Sequence, residues 1–405
     1  MMSRFVWKEL GDLISFERGL TYSKGDEVEV SSVGVLRSNN VDLNTHRLNL
    51  DEIKYLREDF DVPDRKRVRR SSLLMCMSNG SKDHLGKVAL IDRDLNYAFG
   101  GFMGLLTPEE ELIYPRYLYY ALTSKSFKDY IHSLSDGANI NNLKFGDLAV
   151  FKVPVPPLVE QQKIVGILDA EFEKIDALKA NAILNLQNSK DLFQSVLKSE
   201  LEPKDGWKTV TVGDIADLKG GKRVPKGYKL ETEPTGYPYI RVADFNEDGS
   251  VDMDDIHYIS KEVYDGIKRY IITTEDVYIS IAGTIGKSGI VPRELNGANL
   301  TENACRLVLK GNLNNKYIYY CTLSSQFKGQ IAKLTMQAAQ PKLALSRLAT
   351  ATMNIPPRSE QDRVVKVLTD LNDRSKALQA NYEKTITLCD DLKQSLLRKV
   401  FSEEL

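Results

Sequence analysis

The sequence is poor in the residues that staple or ligate. Its four cysteines (Cys76, Cys305, Cys321, Cys389) are scattered, without disulfide-framework or metal-site spacing. That excludes a small disulfide-built secreted module and suits a reducing cytoplasm. The four histidines (His46, His84, His132, His257) show no metal or triad spacing. The N-terminus MMSRFVWKELGDL lacks the apolar region of a signal peptide, and no apolar run approaches a membrane span, so a soluble intracellular protein is expected. Charge of one sign is lacking too: the formal net charge is −1, so no global field draws in nucleic acid or an anionic membrane. Any nucleic-acid contact must come from local basic patches. There is no Gly-rich methyl-donor loop after a strand, no Asn/Asp-Pro-Pro-aromatic sequence and no helicase or nuclease signature. The expectation is a chain that binds rather than catalyses, with no metal and no cofactor of its own. At 405 residues, 42% hydrophobic and 27% charged, it has the composition of a globular protein of two or three domains.

What is present is a duplication. The segment from Pro156, PPLVEQQKIVGILDAEFEKIDALKAN, returns from Pro356 as PPRSEQDRVVKVLTDLNDRSKALQAN, 200 positions later and without a gap to Glu200. Each copy predicts a long helix. The Pro-Pro pair suits a first turn, where a missing N–H costs nothing, and apart from Gly166 no Gly or Pro follows for about 40 residues. Apolar spacings of three and four define a coiled-coil seam: Ile164, Leu168, Ile175 and Leu178 in the first copy, and Val364, Leu368, Leu371, Leu378 and Tyr382 in the second. Glu171, Asn185, Ser189, Ser375 and Thr385 interrupt it, which predicts that the two helices pair with each other. Each would be about 65 Å long. A dimerisation coiled coil is the blander alternative.

The repeat extends upstream. RYLYYALTSKSFKDY from Arg116 answers KYIYYCTLSSQFKGQ from Lys316, Trp7-Lys8 answers Trp207-Lys208, and Gly86-Lys87 answers Gly286-Lys287. The plan is therefore domain, helix, domain, helix: 1–155, a spacer helix over 156–203, 204–355, and a second spacer helix over 356–405. Short β-like runs (Tyr237–Val242, Asp276–Ile281, Ala304–Leu309) and amphipathic helices near Tyr117–Leu134 and Tyr317–Leu334 make each domain mixed. The rods and the tyrosine helices resemble each other closely, whereas the loop-rich fronts do not. One frame presenting two different surfaces suggests recognition of two different things.

Two segments imitate chemistry. Ala282-Gly-Thr-Ile-Gly-Lys-Ser288 resembles a phosphate loop, but Ile281 stands where the first glycine is needed and Gly289 and Pro292 break any following helix, so a tight turn between strands is expected. Asp244, Asn246, Asp248, Gly249, Asp252 and Asp255 fall at calcium-loop positions, but the last should be Glu and the flanks read as strands, so a hairpin with an acidic tip is expected.

The basic loops are more informative. Asp64-Arg-Lys-Arg-Val-Arg-Arg70 places five cations within six residues, and Lys219-Gly-Gly-Lys-Arg-Val-Pro-Lys226 places four on a glycine-bearing loop. Such density suits phosphates, and Arg can also pair with guanine. Polar loops nearby could read base edges, with Asn and Gln suited to adenine. The candidate DNA contacts are Lys24, Arg65, Lys66, Arg67, Arg69, Arg70, Ser78, Asn79, Lys82, Lys87, Asn139 and Asn141 in the first half. In the second half they are Lys222, Arg223, Lys226, Thr284, Lys287, Gln337, Gln340 and Lys342. A solvated charged face is the alternative for any single loop.

Two variable domains, each followed by Pro-Pro-x-x-Glu-Gln and a long helix, resemble the specificity subunit of Type I restriction-modification systems. The Gly11-Asp12-Leu13 and Gly213-Asp214-Ile215 starts, the Gly283–Gly286 segment and the Tyr-x-Tyr-Tyr helices fit that resemblance, which covers essentially the whole chain. The first copy departs from it at Ser78–Gly86, where Asn-Gly-Ser-Lys-Asp-His-Leu-Gly replaces the shorter turn. The resemblance implies an α+β fold: two target-recognition domains separated by two long helices forming an antiparallel coiled coil, related by a pseudo-twofold axis. Each domain would read one half of a split double-stranded DNA site, with the helices as a ruler. Two methyltransferase subunits would dock on the rods, and restriction/translocase subunits would join them. S-adenosylmethionine, ATP and Mg2+ would belong to those other subunits. A scaffold bridging two protein partners is the rival, and a calcium- or nucleotide-dependent hydrolase of duplicated fold a more distant one.

Overall fold

The computed structural model describes residues 5–135, 142–335 and 342–401. The chain forms two compact units, Met1–Ile183 with Lys384–Leu405, and Leu184–Glu383. Each holds one globular front and one half of each long helix.

In the first unit the front contains β1 (Val6–Glu9), β2 (Ile14–Arg18), β3 (Glu27–Val28), β4 (Val33–Leu36), β5 (Lys54–Leu56), β6 (Leu73–Cys76), β7 (Val88–Leu90), β8 (Tyr97–Phe99), β9 (Met103–Pro108) and β10 (Lys152–Val155). Helices α1 (Pro115–Thr123), α2 (Lys125–Ser135) and α3 (Phe145–Ala149) precede α4 (Leu158–Glu200). Two four-stranded sheets run in the orders β2-β9-β6-β7 and β3-β5-β4-β8, and β1 pairs with β10.

The second unit repeats the scheme. It comprises β11 (Lys208–Thr211), α5 (Val212–Ile215), β12 (Ala216–Gly220), β13 (Pro238–Ile240), β14 (His257–Tyr258), α6 (Lys261–Ile267), β15 (Ile271–Ile272), β16 (Val277–Ser280), β17 (Ser288–Gly289), β18 (Ala298–Leu300) and β19 (Ala304–Leu309). Then come α7 (Asn315–Leu323), α8 (Ser325–Thr335), α9 (Leu345–Leu348), β20 (Thr352–Ile355) and α10 (Arg358–Phe401). Its sheets run β12-β19-β16-β17 and β14-β13-β18-β15, with β11 on β20. The central strands β6 (LLMC) and β16 (VYIS) are buried along their whole length, as runs covered on both faces must be.

The tyrosine motif ties these parts together, and each ring has one task. Tyr117 and Tyr317 donate to the Pro154 and Asn354 carbonyls (2.8 and 2.7 Å), fixing the strand that leads into each long helix. Tyr119 and Tyr319 donate to the His46 and Asp248 carbonyls (3.2 and 2.7 Å), fixing a hairpin. Tyr120 bonds the Asp169 carboxylate on α4, and Tyr320 meets Thr369 on α10 at 3.1 Å. Gln161 and Gln361 of the Glu-Gln pairs are buried. Gln161 donates to the Leu112 and Pro156 carbonyls and accepts from the Tyr114 N–H at 2.7 Å. Gln361 likewise bonds the Pro356 carbonyl and the Asn314 N–H, both at 2.9 Å.

Within each unit the two helix halves pack antiparallel. In the first, Asp176 meets Lys393 and Lys179 meets Asp390, so rising numbers on α4 face falling numbers on α10. Val165, Leu168, Leu397 and Phe401 there join the same core as Tyr117 and Leu118. In the second unit Glu200 meets Arg363, Ser189 meets Ser375, and Phe193, Leu197, Val364 and Leu368 share a core with Tyr317.

The seam differs from the sequence expectation at two positions. Leu168, Ile175, Val364 and Leu368 are buried in it, and Ile164, Leu371 and Tyr382 are half-buried. Leu178 and Leu378, however, are 58% and 47% exposed. Residues 178 and 179 both fit an alternation of three and four between buried Ile175 and Ala182, and it is 179 that meets a partner across the seam. Lys179 therefore lies along it with its ammonium on Asp390, and Gln379 takes the matching place and donates to Ser375 Oγ at 2.9 Å. Ser189 and Ser375, which interrupt the apolar pattern, are buried and face each other at 2.9 Å.

Candidate nucleic-acid interface

In the first unit, β8 and β9 are joined by Gly100-Gly101-Phe102. The turn is closed by the Met103 N–H on the Gly100 carbonyl (2.8 Å), and the Phe102 carbonyl accepts from the N–H groups of Met77 and Ser78 (2.9 and 3.1 Å). In the second unit, Thr301-Glu302-Asn303 joins β18 to β19 in the same way. The Ala304 N–H bonds the Thr301 carbonyl (3.1 Å), and the Asn303 carbonyl accepts from Ile281 and Ala282 (2.7 and 3.1 Å). The chain leaving β2 or β12 presses on this turn. A Cβ on Gly19 would lie 2.0 Å from the Gly100 oxygen, and one on Gly221 would lie 2.1 Å from the Thr301 oxygen, so only glycine fits either place. The turn is thus where the segment after β2 or β12 meets the loop after β6 or β16. Sequence reasoning missed it because its residues are neither basic nor amide-rich as a group.

Several candidate cations surround it. In the first unit Arg18 donates to the Gly101 carbonyl (3.4 Å), and Lys66 bonds both Glu17 and the Arg18 carbonyl. Lys66 is thereby a strut, whereas Arg65 points outward with Glu17 at 3.7 Å. Arg67 donates to Asn96 Oδ1 (3.0 Å), and Arg69 and Arg70 are exposed and form no ion pair among the described residues. Ser78 bridges Asn142 through its backbone, Asn79 donates to Ser38 Oγ at 2.8 Å, and Lys82 is exposed. Lys24 is exposed but lines a cleft with Glu27, Glu29, Asp51 and Glu52, a poor setting for a phosphate.

Arg37 is a residue the sequence reading passed over. Its Cγ lies beside Gly100, and its Nε is buried without a partner. The counterpart Arg241 is neutralised by Asp244 and Asp255 (2.5 and 2.8 Å). Asn40 holds the place of Asp244, since both accept their arginine's backbone N–H, at 2.8 and 2.7 Å. One repeat therefore keeps a guanidinium that the other locks.

In the second unit Lys222 is exposed, with its ammonium 5.9 Å from the Tyr270 ring centroid and its backbone N–H on the Leu300 carbonyl. Arg223 is exposed and ion-paired with Glu302 of the turn, and Lys226 is exposed. Thr284 is exposed next to Gly283, whose φ of +75° the turn requires, and Lys342 is exposed and bridges Ala282.

Two candidate lysines have another role. Lys87 is 4% exposed, its ammonium donates to the Val41 carbonyl at 2.8 Å, and burial pushes it below the usual lysine range. It is not placed to meet DNA. Lys287 repeats the arrangement on the Phe245 carbonyl at 2.9 Å, with Glu247 at 3.1 Å. The shared Gly-Lys thus holds a hairpin, 41–48 in one repeat and 245–251 in the other, each closed by a β-bridge. The acidic segment is such a hairpin, and among the described residues no His, Cys, Asp and Glu group is built to hold a metal. Asn139, Asn141, Gln337 and Gln340 lie outside the described residues.

A second surface lies on the long helices. Ile167, Leu178 and Leu192 on α4, and Val367, Leu378 and Leu392 on α10, are exposed and stand at the same register of the repeat. A position 11 residues along a helix of 3.6 residues per turn returns to within about 20° of the first, so Ile167 with Leu178 in the first unit, and Val367 with Leu378 in the second, each share one face. Among the described residues no helix is long and apolar enough to cross a membrane.

Residues 2–187 and 204–388 each match the family described as Type I restriction modification DNA specificity domain. The chain is similar to the Type I restriction enzyme EcoKI specificity subunit of Escherichia coli (strain K12), 23% identical over 96% of this chain and 86% of that one. It is similar to the StySPI specificity subunit of Salmonella potsdam, 25% identical with the same coverage. Its fold matches a chain of a type I R-M system solved to explain complex assembly and conformational transition, with TM-score 0.80 over 99% of this chain and 98% of that one at 18% identity. It also matches the HsdS subunit from Thermoanaerobacter tengcongensis, with TM-score 0.58 over 100% and 98% at 18% identity.

Proposed function

Because the chain belongs to the Type I restriction modification DNA specificity family, we propose that it reads a split double-stranded DNA site, one half-site with each globular front, and leaves catalysis to partner subunits. The observation that carries this reading is the pair of equivalent turns: identical backbone bonding presents Gly-Gly-Phe in one repeat and Thr-Glu-Asn in the other, each among cations. An asymmetric site needs one frame with two different reading surfaces. The recognition domains are taken as 1–155 and 204–355, with spacer helices over 156–203 and 356–405, whose length sets the gap between half-sites.

The proposed contacts are exposed or half-buried cations and polar groups on the loops of each front. In the first repeat these are Arg65, Arg67, Arg69, Arg70, Ser78, Asn79 and Lys82. In the second they are Lys222, Arg223, Lys226, Thr284 and Lys342. With a net charge of −1 the affinity of the chain alone is modest, and what there is comes from phosphate contacts and falls with salt. The repeated apolar faces at 167/178 in one unit and 367/378 in the other support docking of two copies of one partner, the methyltransferase subunit, through which restriction subunits join. S-adenosylmethionine, ATP and Mg2+ would be held by those partners. Selection of bound duplexes from a random library by the assembled complex tests the reading. Enrichment of two short motifs at a fixed separation supports it, and enrichment of nothing, with the complex intact, rejects it.

A further inference from the structure

Phe102 is, among the described residues, the one exposed phenylalanine, at 69%. It is not on a loose loop. Its carbonyl accepts two N–H bonds from Met77 and Ser78, the Met103 N–H closes the turn, and Gly19 packs directly on the Gly100 oxygen. The ring therefore projects from a fixed backbone. The two preceding residues are glycines, which leaves the space beside it bare. Arg18 bonds the turn at Gly101, and the Arg37 stem, whose Nε has no partner, lies against Gly100. An exposed apolar ring on a fixed turn, with arginines packed on the two glycines before it, has neither a core to fill nor a helix to cap. Arginines that take phosphates, with an apolar group between them that takes a base, form the combination that duplex DNA accepts.

The second repeat holds Asn303 at the same place, since its carbonyl accepts the same pair of N–H bonds from Ile281 and Ala282. Asn303 is half-buried, its amide makes no side-chain hydrogen bond among the described residues, and Arg223 stands over the neighbouring Glu302. Two chemically opposite side chains occupy one structural position on two otherwise matched frames.

Resting on the DNA-reading function above, we propose that this third turn position is a base-reading residue in each half-site: Phe102 contacts the methyl group of a thymine, and Asn303 hydrogen-bonds the N6 and N7 of an adenine. An aromatic or methyl-bearing side chain recognises the thymine methyl, and an asparagine amide matches the adenine edge in the major groove.

The test is selection from a random duplex library with the assembled complex, using the unmodified chain, Phe102→Ala, Phe102→Leu and Asn303→Ala. Phe102→Ala is expected to lose about tenfold discrimination at one thymine position of one half-site, with the other half-site unchanged. Phe102→Leu retains most of that preference, because an apolar contact survives. Asn303→Ala relaxes one adenine position in the opposite half-site only. Because Phe102 is exposed and Asn303 makes no side-chain bond, unchanged melting temperatures are expected. If the unmodified complex selects a split site and the variants select the same site with the same preferences, the assignment is overturned while the DNA-reading function stands. Equal weakening at every position of both half-sites overturns it as well. If the unmodified complex selects no split site, the underlying reading falls, and the assignment with it.

Discussion

Lys376 on α10 holds Asp248, at the tip of the 245–251 hairpin, with Nζ 2.7 Å from Oδ2. The hairpin of the second front is thereby tied to the long helix; Tyr319 donates to the Asp248 carbonyl and Tyr278 to the Gly249 and Ser250 carbonyls. Burial alone would raise the Asp248 carboxyl, but hydrogen bonds from Lys376 and Ser250 outweigh it and bring it down to about 2. A carboxyl depressed in the folded state adds stability above its unfolded value, near 3.9, that disappears as pH falls towards its folded value. Asp248→Asn should therefore cost about 1 kcal/mol at pH 7, solvent screening limiting the effect. The difference should shrink to nothing between about pH 4 and pH 2. Denaturant melts of both proteins across that range check it; a difference constant down to pH 2 contradicts the ion pair.

The buried Ser189–Ser375 contact behaves as a pair. Ser189→Ala alone leaves the partner hydroxyl short of a bond and should cost about 1 kcal/mol, as should Ser375→Ala. The double replacement should cost less than the sum, because the bond between the two hydroxyls can be lost only once. A double-mutant cycle by urea denaturation measures the coupling, and simple additivity would show that the two hydroxyls do not interact.

Cations at the reading surface should differ from cations inside the fold. Arg69→Ala with Arg70→Ala should weaken DNA binding by the complex and lower the slope of log affinity against log salt by about 2. Lys87→Met, which removes a buried ammonium tied to Val41, should leave that slope unchanged. Titrations at several salt concentrations separate the two, and a reduced slope for Lys87→Met would return that lysine to the interface.

The exposed apolar faces predict a separation of folding from assembly. Leu178→Asp and Leu378→Asp replace exposed side chains, so stability should change by less than about 0.5 kcal/mol. Co-purification with the methyltransferase subunit should fall sharply for each, and further for both together. Undiminished assembly would move the docking surface elsewhere.

The long helices were legible because their evidence is local: a Pro-Pro start, a long stretch almost free of Gly and Pro, and a repeat without gaps. Their register was not. Leu178 and Lys179 satisfy the apolar spacing about equally well from Ile175, and the choice falls to Lys179 only because Asp390 stands opposite. Lys87 reads as a candidate contact by its charge, whereas its burial comes from a hairpin more than 40 residues earlier in the chain. Phe102 and Asn303 carry no motif. The signal that could have found them is the alignment of β8–β9 with β18–β19 at an offset of 201 rather than 200, which short gaps in the variable fronts conceal.

The central claim is that one chain reads two half-sites at a fixed gap. Its most direct test is to co-express the chain with its methyltransferase subunit in a host lacking adenine methylation and to map modified adenines by single-molecule sequencing. Methylation should be confined to one split motif, with two different half-sites and a constant run of unread bases between them. Methylation at a continuous motif, or none with the complex verified, would contradict it.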